Sequence, residues 1–159
     1  MSHEVITTYL NDHVAGSVAA VELLDHLIDL HSGADRELLT ELRTQVQEDQ
    51  RVLQQLLHTL DGKESPIRKA AAWLTERLGQ VKLRIDDTGN GELRMLEAFE
   101  TLALGIQGKL SLWRALAAVG DRLPVLASLD LSRLQMRASD QFNRVERLRL
   151  KAAERALSP

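Results

Sequence analysis

The chain has 159 residues, enough for one hydrophobic core and too few for a second independent one to be expected. Apolar residues make up 44% of it and charged residues 27%, with nine glycines, three prolines and no cysteine; a disordered bulk, a disulfide framework, a thiolate metal site and a cysteine nucleophile are thereby excluded. The formal net charge is −3 and aromatics are only 3%, which together with the dominance of Leu, Ala, Glu, Arg and Gln points to helices throughout a single domain spanning residues 1–159.

The first predicted helix covers about residues 5–31, with Leu10, Val14, Val21, Leu24 and Ile28 on one face and Ser17 filling the gap in the series. Ser32-Gly33 breaks it. Asp35 can cap a second helix over about 35–60, whose seam is Leu39, Leu42, Val46, Asp49, Leu53, Leu56 and Leu60. A connection of about four residues makes the two an antiparallel hairpin. Ser65-Pro66 opens a shorter helix over about 66–85, and the polar stretch Asp86 to Gly91 ends it.

The next helix, about 92–119, has the face Leu96, Phe99, Ala103, Ile106, Leu110, Trp113 and Ala117. Its back carries Thr101, Gly105 and Gly108, small enough for another backbone to approach closely, so coverage on two sides is expected. Gly120-Asp121 and Pro124 end it. Ser128 or Asp130 can cap a last helix, about 130–157, with seam Leu131, Leu134, Ala138, Gln141, Val145, Leu148 and Ala152.

Charge is unevenly distributed. Residues 1–62 carry three Lys/Arg against eleven Asp/Glu, and residues 131–159 carry seven against three. The basic last helix has no aromatic interleaving beyond Phe142, so complementation of the acidic first segment is favoured over nucleic-acid binding. No apolar run reaches the roughly 20 residues of a membrane span. The N-terminal stretch, with Glu4 and Asp12, lacks the regions of a signal peptide. A cytoplasmic location and no membrane association are expected.

Two long hairpins separated by a helical connection describe an all-α, up-and-down four-helix bundle with an additional crossover helix. In this the chain resembles the ferritin-like superfamily over nearly its whole length. The resemblance implies a carboxylate-bridged di-metal site at mid-bundle, built from a Glu on one helix and a Glu-x-x-His on its neighbour, given twice. No Glu-x-x-His occurs here: three residues beyond Asp49 and Glu48 are Val52 and Arg51, and three beyond Gln141 is Arg144.

Counting outward from the two turns places Ser17, Asp49, Gln107 and Gln141 in one layer at mid-bundle. One carboxylate and two amides cannot hold two irons, so a degenerate site is expected, with these side chains hydrogen-bonding one another and His13 and Arg144 nearest to satisfy Asp49. An alternative single-metal site for iron or manganese would draw on His13, Asp49 and Glu100. No phosphate loop, nucleophile elbow or zinc spacing is present. The expected function is therefore a non-catalytic helical bundle with a structural or protein-interaction role, as a homo-oligomer, most simply a homodimer. A metal-binding protein of iron storage or oxidation is the alternative. On this reading Asp49→Asn leaves the fold intact, and Gly108→Leu disturbs packing or dimerisation.

Overall fold

A computed structural model describes residues 3–61 and 91–159, and they are all-helical. Helix α1 spans Glu4–Leu30, α2 Gly33–Asp61, α3 Gly91–Ala118 and α4 Leu131–Leu157. The expected helix at about 66–85 lies outside the described residues. Among the described residues no helix is long and apolar enough to cross a membrane.

The turn between α1 and α2 is shorter than the spacing suggests. Gly33 takes a positive φ of 58°, open to glycine at little cost, so α2 begins there and leaves only His31 and Ser32 between the helices. Asp35 is consequently inside the first turn instead of capping it, and its carboxylate accepts from Lys151 Nζ at 3.1 Å. The orphan carbonyls at the end of α1 are satisfied from outside the helix. His31 Nδ1 donates to Leu27 O at 2.7 Å, and Arg36 Nη1 donates to Ile28 O at 2.8 Å.

Between α3 and α4 the chain forms two short 3-10 turns, Gly120–Arg122 and Pro124–Ser128. Asp130 then caps α4 by accepting from Arg133 N at 2.9 Å.

The core fixes the helix directions. One cluster joins Leu24 and Leu27 of α1 to Leu39 and Leu42 of α2, Phe99 and Leu102 of α3, and Leu148 and Ala152 of α4. A second joins Leu10 and Val14 to Leu53 and Leu56, Leu110 and Trp113, and Leu134 and Ala138. Along the bundle α1 and α4 therefore run one way, and α2 and α3 the other. Antiparallel packing is closest for α1 with α2 and for α3 with α4; α1 also borders α3, and α2 borders α4. Because α2 and α3 are parallel, Asp61 and Gly91 lie at opposite ends of a bundle about 40 Å long.

Acidic α2 and basic α4 face each other through a ladder of ion pairs. Lys151 meets Asp35, Arg144 meets Glu41 at 2.7 Å, and Arg137 meets Glu48 at 2.9 Å. The rungs step by sevens on α4 and by six and seven on α2, the spacing that keeps two helical faces in register.

Candidate functional site

Two polar residues sit inside the bundle because their helices leave them no alternative. Asp49 falls between Val46 and Leu53 on the buried seam of α2, and Gln141 between Ala138 and Val145 on that of α4. Their exposures are 2% and 0%, those of core leucines. They lie between the two apolar clusters, and Gln141 Nε2 is 3.4 Å from Asp49 Oδ2.

A buried carboxylate needs compensating charge, and two cations supply it. Lys109 of α3 folds inward along its aliphatic stem, and Nζ donates to Asp49 Oδ2 at 2.6 Å and to Gln141 Oε1. Arg137, one turn before Gln141 on α4, donates from Nη2 to Asp49 Oδ1 and from Nη1 to Glu48 Oε2 at 2.9 Å. Gln141 completes the network by donating to Gln45 Oε1 at 3.1 Å. Burial pulls the Lys109 ammonium below its ordinary pKa of 10.5; Asp49 opposes that shift and the neighbouring Arg137 adds to it.

Of the residues expected in this layer, Ser17 is half-buried on the α1 side, and its hydroxyl donates to Val14 O at 2.6 Å within its own helix. Gln107 does not join: it lies exposed. Counting from a turn gives height along the bundle but not the angle around the helix. The buried arc of α3 takes in Ile106, Leu110 and Leu112, so Lys109 turns inward while Gln107 falls outside it.

Nor do the expected partners of Asp49 reach it. Arg144 lies two turns along α4 from Arg137 and binds Glu41, with Asp140 at 3.6 Å. His13 packs edge-on against Tyr9, with ring centroids 4.8 Å apart. Desolvation lowers its pKa from the ordinary 6.5, against the opposing charge of Asp12. Glu100 is exposed and accepts from Arg149 Nη1 at 3.3 Å. The structure thus does not bring His13, Asp49 and Glu100 together. Among the described residues no group of three or more His, Asp or Glu converges as a metal site would require.

The close backbone contact expected at Gly105 and Gly108 is also not made among the described residues. A Cβ built at either, or at Gly16 across from them on α1, meets nothing within 4 Å. Phe99 and Trp113 are buried in the core on either side of this level. What remains is a cleft of about 220 Å³ between α1, α2 and α3. Asp49 and Lys109 are among its lining residues, with Val46, Leu53, Ile106 and Leu112 as apolar walls and Asp12, His13 and Gln50 as further polar groups.

Lys109 and Arg137 carry the site's positive charge, and sequence reasoning missed both. Lys109 sits beside the apolar stripe of α3 and resembles a solvated lysine. Arg137 had a usable signal: it lies four residues before Gln141, so it reaches the height of Asp49 from the neighbouring turn.

No protein-family model, curated protein or solved structure matches the chain.

Proposed function

We propose that this protein is a non-catalytic helical bundle, with a structural or protein-interaction role, related in architecture to ferritin-like proteins but holding its mid-bundle carboxylate with its own cations instead of a metal pair. The observation that carries this reading is the Lys109 ammonium bridging Asp49 Oδ2 and Gln141 Oε1, with Arg137 on the other carboxylate oxygen. Two metal ions bridged by carboxylates and two protein cations sharing one carboxylate answer the same electrostatic need. A divalent ion at Asp49 would have to displace a buried cation or add its charge to two already present, and burying unbalanced charge is strongly unfavourable.

The described residues include exposed apolar side chains, among them Val5 at 83% and Leu104 at 74%. We infer self-association, most simply a dimer, which sedimentation equilibrium reads directly; a monomer across the micromolar range would remove that part of the reading.

Elemental analysis of untagged protein purified without chelator, together with thermal melts in added iron, manganese and zinc, tests the main proposal. Substoichiometric metal and unchanged melting are expected. Stoichiometric metal that is lost in Asp49→Asn would overturn it.

A further inference from the structure

Helix α1 is buried on a side that its described neighbours do not account for. Its seam of Leu10, Val14, Leu24 and Ile28 faces the core. Asp25 pairs with Arg43 toward α2, and His13, Gly16 and Ala20 border the cleft toward α3. At 3.6 residues per turn Ala15 lies about 140° round the helix from that seam, yet it is 0% exposed and belongs to neither apolar cluster. Asn11, Ala15, Ala19, Glu22 and His26 recur there at steps of three and four residues, and none of the five is exposed. The polar members Asn11, Glu22 and His26 are all partnered. Elsewhere the outward sides are open, with Leu104 of α3 at 74% and Met136 of α4 at 71% exposure. A helix buried all round its circumference has a covering element on every side.

This burial is achieved within one copy of the chain. Beyond the described residues the chain has only Met1, Ser2 and the stretch 62–90, and two residues cannot cover a stripe of about four turns. The ends of the longer stretch are where such a cover would begin and finish. Asp61 lies at the N-terminal end of α1 and Gly91 at its C-terminal end, because α2 and α3 both run against α1. The 20 residues expected as a helix reach about 30 Å, most of the length of α1. Charge selects the same face. Helix α1 carries Glu4, Asp12, Glu22, Asp25 and Asp29 and no Lys or Arg, while residues 66–85 carry Arg68, Lys69, Arg77, Lys82 and Arg84 against the single acid Glu76. The face between α2 and α4 already matches its own charges through the ladder, so it offers a basic segment no such complement.

We propose that the outward side of α1 is a docking surface for residues 66–85 of the same chain, which lie lengthwise on it and run parallel to it. The apolar face Ile67, Ala71, Leu74, Leu78, Val81 and Ile85 covers the Ala15 and Ala19 stripe, and the basic residues flank the acids of α1. The small side chains of Ala15 and Ala19 let the segment approach closely. With α1 enclosed in this way, a partner or second copy meets the outer sides of the other helices. The inference depends neither on the absence of metal nor on self-association, so its failure leaves both parts of the proposed function standing.

The chain contains no cysteine, so pairs of spin labels can be placed in the full-length protein without other changes. Pulsed dipolar spectroscopy measures the distance from a label at Glu76→Cys to a second label at Asp12→Cys, Leu104→Cys or Asn143→Cys, exposed positions on α1, α3 and α4. The expected result is a narrow distribution for each pair, with the shortest distance to Asp12 and the longest to Asn143. A shortest distance to Leu104 or to Asn143, or broad distributions with no shortest pair, would overturn the proposal. Leu74→Ser with Leu78→Ser, made in the Glu76/Asp12 pair, is expected to lengthen and broaden the distance to α1. An unchanged distribution in that variant would also overturn it, because the apolar face would then not be what holds the segment on α1.

Discussion

Lys109 and Asp49, 60 residues apart in sequence and on different helices, form a 2.6 Å ion pair in the interior, with side-chain exposures of 11% and 2%. Breaking a buried pair from one side leaves the other charge stranded. That relationship revises the expectation, drawn from the leucine seam, that Asp49→Asn leaves the fold intact.

Asp49→Asn is now expected to lower stability by about 3–5 kcal/mol, the range for removing one partner of a buried pair. The loss should have a distinctive pH dependence. The folded state already holds the Lys109 pKa below its ordinary 10.5. Between that lowered value and 10.5 the unfolded chain binds more protons than the folded one, so this group makes stability rise with pH. Without Asp49 the depression deepens and the window opens at lower pH. Urea unfolding at pH 7 and pH 10 should show the variant's deficit shrinking on the alkaline side; a deficit that is equal at both would sever the link to Lys109.

The ladder between α2 and α4 should contribute more to register than to stability. Arg144→Ala removes a pair whose acid, Glu41, is 60% exposed, and such pairs are worth about 0.2–1 kcal/mol. Charge reversal with Arg144→Glu should cost more than the alanine change, and adding Glu41→Arg should restore part of the loss. Melting temperatures of the four proteins at low and high salt measure this, and salt should compress the differences.

Two glycines should respond in opposite ways. At Gly33, with φ of 58°, any L side chain meets the left-handed penalty, so Gly33→Val should cost about 1–2 kcal/mol or more. Gly108→Leu enters open space and gains helix propensity, so its melting point should be unchanged or raised. A sharp drop for Gly108→Leu would show that the cleft is closed in solution.

His13 should contribute to acid sensitivity. Its pKa lies below 6.5 in the folded state, mainly through desolvation, so the unfolded chain takes up the proton first. Its contribution to stability is present above about pH 6.5 and is lost as pH falls through the lowered value. His13→Gln should therefore lose less stability than the parent between pH 7.5 and 5.5, as measured by urea midpoints; identical losses would remove His13 from the acid response.

Helix extents were largely legible in the sequence because strong periodicity and local punctuation set them. The expected ranges of about 35–60 and 130–157 compare with Gly33–Asp61 and Leu131–Leu157. Asp49 and Gln141 announced themselves by interrupting apolar seams, a one-dimensional signal. Their partners did not, because what brings Lys109 inward is the rotation of α3 and the length of its side chain, neither of which a count of positions from a turn encodes. The same omission placed Gln107 inside. Gly105 and Gly108 were legible as small residues, but a stripe of small residues does not encode which backbone closes on it, and among the described residues none does.

Lys109 and Arg137 compensate the mid-bundle carboxylate of Asp49, and a double-mutant cycle on Asp49→Leu and Lys109→Met measures the Lys109 part of that compensation. Asp49→Leu strands Lys109 and should lose about 3–5 kcal/mol in urea unfolding; Lys109→Met leaves Arg137 on Asp49 and should lose less, and the double variant should lose much less than the sum of the two. Additive losses would contradict the account, because they would mean that Asp49 and Lys109 do not stabilise each other in the folded protein.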